Sequence, residues 1–268
     1  MIATLNEVWA YRELLYNVTL REFKVRYKQS FLGAAWAVLQ PMSLTLIFMF
    51  VSWIRKLPSD GKPYLLFTYG AMMQWTFFRN SLSFSIPSLV GNAALVKKIY
   101  FPREVLPLAT VFVSFLDFCI AFIILIGMLA YYQLSGLYDI PFSIHLLWLP
   151  VILAIQILLT FGISFIFSAI NVTYRDVKHT VPLALQLWMF ASPIIYSANA
   201  VREKSELIYR IYMLNPMAPI VTGYRTVMLD GQMPDLAYLG VAALISAALC
   251  VGGYAYFKKV DARFADIL

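Results

Sequence analysis

Six apolar runs separated by polar connections constrain what this chain can fold into. They cover about 31–54, 64–90, 105–132, 146–170, 181–197 and 236–257. A helix needs roughly 20 mostly apolar residues to cross the hydrocarbon core of a bilayer, and each run meets or approaches that length. The fifth is the shortest and the second the most polar. Strands of a membrane barrel would instead alternate polar and apolar residues over segments of about ten, which these runs do not. Only 13% of the 268 residues are charged, against roughly 25% in soluble domains, and the mean hydropathy is +0.74. The expected fold class is an all-α membrane protein with six transmembrane helices.

Lys and Arg collect on the cytoplasmic side of such a bundle. One side of the six spans would carry Arg12, Arg21, Lys24, Arg26 and Lys28, then Lys97, Lys98 and Arg103, then Arg175 and Lys178, and finally Lys258, Lys259 and Arg263. The other would carry Arg55, Lys56 and Lys62, none between spans three and four, and four in the segment 198–235. Both termini are therefore expected in the cytoplasm. This asymmetry accounts for the net charge of +7. The basic residues are split among loops rather than gathered in one patch, so no nucleic-acid partner is expected. The first thirty residues lack the short apolar core of a signal peptide, so the first span is expected to target the membrane.

Before that span, Leu5, Val8, Trp9, Leu15, Tyr16, Leu20, Phe23 and Tyr27 recur at helical spacing. This is the pattern of a helix lying in the membrane interface among the lipids, with a protein contact as the rival reading. The outer segment 198–235 holds two short apolar pieces, Leu207–Leu214 and Met217–Leu229, divided by Asn215-Pro216. Their length fits a re-entrant helix pair better than spans, and Asn-Pro marks the turn. The organisation expected is one transmembrane domain: an interfacial helix over 1–30, the bundle over 31–257 and a cytoplasmic tail over 258–268.

Chemistry is sparse. No Gly-rich loop ends in Gly-Lys-Ser/Thr; the one Gly-Lys pair, Gly61-Lys62, lacks the upstream glycine. His145 and His179 fall in loops on opposite sides, and Cys119 and Cys250 lie inside apolar runs without metal or disulfide spacing. No metal site, bound cofactor or catalytic residue is expected. Two charges lie within spans, Arg79 and Asp117, at similar depth. Such residues are costly in lipid, and an intramembrane ion pair between spans two and three is the expectation; a transport-coupling Asp is the alternative. Trp36, Trp75, Phe77, Phe78, Trp188, Phe190 and Tyr196 lie within spans rather than at an interfacial belt. They are candidate lining for a channel along which sugar rings slide. Pro41, Pro87, Pro182 and Pro193 sit in or beside spans, where proline bends or breaks a helix. Ser192-Pro193 is the expected stop of the fifth.

Several of these features, in order, resemble a known family. Arg26-Tyr27-Lys28-Gln29-Ser30-Phe31-Leu32-Gly33 with Trp36 and Pro41, the loop Leu95-Val96-Lys97-Lys98-Ile99-Tyr100-Phe101-Pro102-Arg103-Glu104, Tyr174-Arg175-Asp176, Ser192-Pro193-Ile194-Ile195-Tyr196 and Asn215-Pro216 are similar to motifs of the permease subunits of polysaccharide ABC exporters, the ABC-2 type. That resemblance implies a homodimer working with two copies of a separate ATPase, which holds the ATP and magnesium. It also implies a lipid-linked polysaccharide as cargo, O-antigen-like and carried on undecaprenyl diphosphate, leaving the cytoplasm through the inner membrane. The ATPase would dock on Lys97, Lys98, Tyr100, Phe101, Pro102, Arg103 and Glu104 and on Tyr174, Arg175 and Asp176. Arg21, Lys24, Arg26 and Lys28 would meet the lipid head group, with ordinary positive-inside charge as the alternative. Asn215 and Pro216 would shape the outer gate. Arg79 departs from the family's pattern. The competing reading from another class is an ion-coupled secondary transporter or channel, which predicts internal repeats and several intramembrane ionisable pairs. A membrane scaffold is a third.

Overall fold

In the computed structural model, residues 10–28 and 30–267 are described; Leu5, Val8, Trp9 and Gln29 lie outside them. Every regular element among the described residues is helical. The chain begins with α1 (Arg12–Tyr27) and a short 3-10 turn, Gly33–Ala35, leading into α2 (Trp36–Arg55). α3 (Tyr64–Ser85) is followed by two small helices, α4 (Ser88–Gly91) and α5 (Ala93–Lys98), and then the long α6 (Val105–Leu134). α7 (Trp148–Thr173) and α8 (Val177–Phe190) come next. Three shorter helices follow, α9 (Asn199–Arg202), α10 (Glu206–Tyr212) and α11 (Met217–Leu229), before α12 (Leu236–Asp261) and a last turn, α13 (Phe264–Ile267).

Among the described residues, four helical segments are long and apolar enough to cross a membrane: Gly33–Arg55, Val105–Leu134, Ile144–Thr173 and Leu236–Asp261. The second and fifth apolar runs fall short for different reasons. α8 has only 14 residues before the chain breaks at Ala191; Ser192-Pro193 sits in that break, as its chemistry predicts. α3 has 22 residues, but its composition is too mixed.

Yet α3 is the post around which the others stand. Of its 22 residues 16 are buried: an unbroken stretch from Leu66 to Phe78, then Ser81, Leu82 and Ser85. It packs against α2, α6, α7, α8 and α11. Protein on nearly every side keeps Thr68, Gln74 and Ser81 out of lipid, although their side-chain polar atoms have no hydrogen-bond partner among the described residues. The lipid-worthy helices are the outer ones. α2 buries Ala37, Pro41 and Thr45, one face of small residues at four-residue spacing, and leaves Leu46, Phe50 and Trp53 exposed. Thr45 Oγ1 donates to the Pro41 carbonyl at 2.8 Å.

The closest helix crossing joins α7 and α12 at two glycines. A Cβ on Gly253 would collide with the Gly162 carbonyl oxygen, and one on Gly162 would lie 2.5 Å from the Leu249 backbone. Small residues let membrane helices approach until backbone packs on backbone. α11 is also deep, with Met217, Ile220, Val221 and Val227 fully buried against α3, α7 and α12.

α1 keeps Leu15, Leu20, Phe23 and Tyr27 of the expected stripe half-buried. It packs along α6 through Leu15, Val18 and Arg26, whereas Tyr16 is exposed. One reason is length: the 30 residues of α6 span about 45 Å at ~1.5 Å per residue, well beyond a hydrocarbon core of ~30 Å. Its overhanging first turns need a partner, and α1 covers them.

The glycine crossing yields a paired expectation. Gly253→Ala lowers stability by about 1–3 kcal/mol through overpacking, whereas Gly252→Ala, with nothing within 4 Å of its Cβ position, leaves it unchanged. Thermal unfolding of detergent-purified protein reads both.

Candidate functional site

The charged site sits where α1 meets α2, α3 and α6, and it corrects the sequence reading. Asp117 pairs not with Arg79 but with Arg26, Nη1 to Oδ2 at 2.5 Å. Its other oxygen accepts from the Tyr27 hydroxyl at 2.6 Å. The Arg26 guanidinium also lies over the Phe84 ring, 4.0 Å from the centroid, a favourable cation–π placement. The reason is geometric: α1 lies alongside α6 and carries its basic C-terminal turn to the level of Asp117. Arg79 is on a different side of α3. At 100° per residue it falls between the side meeting α2, where Asn80 pairs with Gln40, and the side meeting α8, where Trp75 and Phe78 touch Trp188. Arg79 is partly buried and has no ion-pair partner among the described residues. Burial and the hydrogen bond to Asp117 push the Tyr27 phenol up, so it stays protonated and keeps donating.

Arg26 is thereby separated from the other proposed head-group residues. Lys24 and Lys28 are exposed, and Arg21 is held by Glu22 at 2.8 Å and by the Asn92 amide oxygen at 2.7 Å. Arg26 cannot offer a free charge to an anion while Asp117 holds it. Beside the pair lies a cavity of about 300 Å³, bounded by the end of α1, the first turns of α2, and the facing sides of α3 and α6.

The loop Lys97–Glu104 divides into two halves. Lys97, Lys98, Ile99 and Tyr100 are exposed, Tyr100 by 84%. Phe101, Pro102 and Glu104 are buried. Glu104 Oε1 accepts from Lys258 Nζ at 2.7 Å and from the Tyr254 hydroxyl at 3.2 Å. Arg103 donates to the Asp261 carbonyl and meets its carboxylate at 3.2 Å. Phe101 and Phe257 belong to one apolar cluster. An exposed tip is thus carried on a base clamped to the end of α12. Tyr174, Arg175 and Asp176, between α7 and α8, are exposed as well.

At the opposite end, Asn215 closes the break after α8. Its amide nitrogen donates to the Ala191 carbonyl and to Ser192 Oγ, both at 2.9 Å, and its oxygen accepts from Trp188 Nε1 at 2.8 Å and the Met217 N–H at 3.1 Å. Pro216 opens α11 in helical conformation. Sequence reasoning passed over the stronger clamp, Arg225 on α11. Its guanidinium donates to the Phe67 carbonyl at 3.1 Å, to Ile194 at 2.5 Å and to Pro193, and stacks 3.5 Å from the Phe67 ring centroid. The signal was legible: one Arg inside the apolar run Met217–Leu229. Lys62 and Asp230, 2.6 Å apart, add a further tie.

The seven aromatic residues do not form one wall. Trp75, Phe77 and Phe78 are buried inside the helical post, so they are packing rather than open channel lining, although Phe77 also borders the 300 Å³ cavity. Trp36 and Phe190 are about half exposed, and Trp188 and Tyr196 are partly so. The Tyr196 hydroxyl donates to the Phe190 carbonyl and accepts from Tyr212.

Residues 13–229 match the ABC-2 type transporter family. The chain is 31% identical over 258 residues to an O-antigen export system permease protein RfbA of Klebsiella pneumoniae, covering 96% of this chain and 95% of that protein. It is 29% identical to one from Myxococcus xanthus, over 99% of both. To the polysialic acid transport protein KpsM of Escherichia coli it is 24% identical, over 89% of this chain and 90% of that protein.

Two outcomes follow from the clamps. Removing one partner of a buried pair strands the other, so Arg26→Ala and Asp117→Ala each cost about 3 kcal/mol. The double variant costs less than their sum, whereas Arg79→Ala with Asp117→Ala is additive. Denaturation midpoints of the set decide between the two pairings. Arg225→Gln removes charged hydrogen bonds of about 1.5–3 kcal/mol each, so amide exchange over 191–198 accelerates at least about tenfold while α12 is unchanged.

Proposed function

The chain belongs to the ABC-2 type transporter family, and on that basis we propose that it is the permease subunit of an ATP-driven exporter of a lipid-linked polysaccharide. The cargo is O-antigen-like, carried on undecaprenyl diphosphate and moved out across the inner membrane. Support comes from relatives that are named as O-antigen export permeases and align over nearly the whole chain. In this reading the bundle crosses six times, with α3 and α8 completing the four apolar spans, and α10 and α11 dip back from the outer side as a re-entrant pair. Both termini are cytoplasmic, and two copies enclose the path.

The observation that carries the reading is the divided loop 97–104. The sequence holds no phosphate-binding Gly-Lys-Ser/Thr loop, so in this reading the energy of ATP and magnesium enters through another subunit. An exposed Tyr100 on a base clamped to α12 is suited to receive that subunit's push and hand it to the bundle. Tyr174–Asp176 would make the second contact. Arg79 supports a wet path: a partly exposed cation without an ion partner does not belong against hydrocarbon, and its side of α3, between α2 and α8, would face the second copy. Trp36, Phe190 and Tyr196 would then line the route for sugar rings, and Lys24 and Lys28 would meet the head group.

The test is co-purification with the ATPase encoded beside this chain. The tagged chain is expected to retain the ATPase, and Tyr100→Asp to reduce retention at least about tenfold without lowering the amount of permease in the membrane. Retention unchanged by Tyr100→Asp would contradict the docking site, and no ATPase on the wild-type chain would contradict the reading itself.

A further inference from the structure

The 300 Å³ cavity beside Asp117 has a chemistry of its own. It lies within the range of small-molecule sites, which starts near ~300 Å³. Its polar groups include Arg26, Tyr27, Gln40, Asn80 and Asp117, with the hydroxyls of Thr76 and Ser114, and its rings include Trp36 and Phe77. The charges cancel, because Arg26 is bound to Asp117 at 2.5 Å. The amides cancel too: Asn80 donates to Gln40 Oε1 at 2.9 Å, and Gln40 Nε2 faces Asn80 Oδ1 at 3.4 Å. The groups are therefore held in place before any ligand arrives.

Each still has capacity to spare. A carboxylate offers about four acceptor sites, and Asp117 uses two on Arg26 and Tyr27. Each primary amide has two N–H donors and two lone pairs; the reciprocal pair occupies one of each. Trp36 lies four residues before Gln40 on α2 and Phe77 three before Asn80 on α3, so each amide has an aromatic ring beside it on its own helix face.

Three ligand chemistries compete for such a space. An acyl chain would leave the carboxylate and amides against hydrocarbon, at a cost of several kcal/mol each. An anion such as a diphosphate would meet Asp117, with no uncommitted cation among the cavity-lining residues to offset the repulsion. A neutral sugar ring satisfies both halves of the lining: its hydroxyls donate to Asp117 and both donate to and accept from Gln40 and Asn80, and its C–H face lies on Trp36. Trp36 is 51% exposed, so the cavity opens beside a ring that can receive a sugar from outside.

We propose that this cavity, between α1, α2, α3 and α6, binds one uncharged sugar ring of the cargo. It reads the sugar end of the lipid-linked glycan and not its diphosphate. The proposal rests on the reading of the cargo as a lipid-linked glycan and adds a recognition site inside each protomer, which meets the route for sugar rings at Trp36. The exposed Lys24 and Lys28 are left for the diphosphate, so the two parts of the head group are met by different residues.

The test uses the permease with its ATPase in lipid nanodiscs on a sensor surface. The probes are the lipid-linked glycan extracted from cells lacking the ATPase, and undecaprenyl diphosphate without sugar. The wild-type complex is expected to bind the glycan lipid at least about tenfold more tightly. Asn80→Ala and Trp36→Leu are each expected to weaken the glycan lipid about tenfold while leaving the sugar-free lipid unchanged; Trp36 is exposed enough that its loss spares the fold. Equal binding of the two lipids by wild type would overturn the sugar site, as would variants that bind the glycan lipid normally or lose both lipids together. ATP-driven export by a complex that gives those results would leave the transporter reading standing, so the two claims fail separately.

Discussion

Hydrocarbon offers no hydrogen bond to a polar group, and the position of α3 follows from that. Thr68, Gln74 and Ser81 have buried side chains on a helix that could not face lipid along its length. Surrounding it with α2, α6, α7, α8 and α11 takes it out of lipid and makes the polar helix the structural centre, although these side-chain polar atoms find no hydrogen-bond partner among the described residues. The outer helices take the apolar burden instead, with Phe50 and Trp53 of α2 turned outward. A soluble protein places its apolar residues inside; here the contrast between inside and outside is softened, and polar ties do more of the specifying.

Those ties are concentrated at three levels. Arg26, Asp117 and Tyr27 join α1 to α6. Glu104 and Arg103 join the exposed loop tip to Lys258 and Asp261 on α12. Arg225 and Asn215 hold the break after α8 to α3 and α11. Each tie crosses between elements far apart in sequence, so displacement of a loop is carried into a whole helix rather than dissipated locally. α12 is in turn locked to α7 through Gly162 and Gly253, which gives a stiff connection from the loop tip to the middle of the bundle.

Much of this was legible in the sequence because lipid imposes so strong a pattern. The runs that became α2, α6, α7 and α12 were plain, and so were the break at Ser192-Pro193 and the turn at Asn215-Pro216. Depth along a helix was legible too, but direction around it was not. Arg79 and Asp117 have matching depths, yet α1 supplies Arg26 from a segment that the sequence places at the interface. Trp75, Phe77 and Phe78 read as channel lining because aromatic type and position say nothing about whether a helix is central or peripheral. Arg225 is marked in sequence as a lone charge in an apolar run, but its partners are backbone carbonyls, which leave no mark there.

In the proposed function this chain provides the path and another subunit the energy. Reconstitution measures it directly: the permease and its ATPase in sealed vesicles, with lipid-linked glycan on the ATPase side and a glycosidase in the opposite compartment. The account predicts that the glycosidase cleaves glycan only when ATP is hydrolysed, and that an ion gradient without ATP moves none. Cleavage driven by the gradient alone, or movement by the permease without its ATPase, would contradict it.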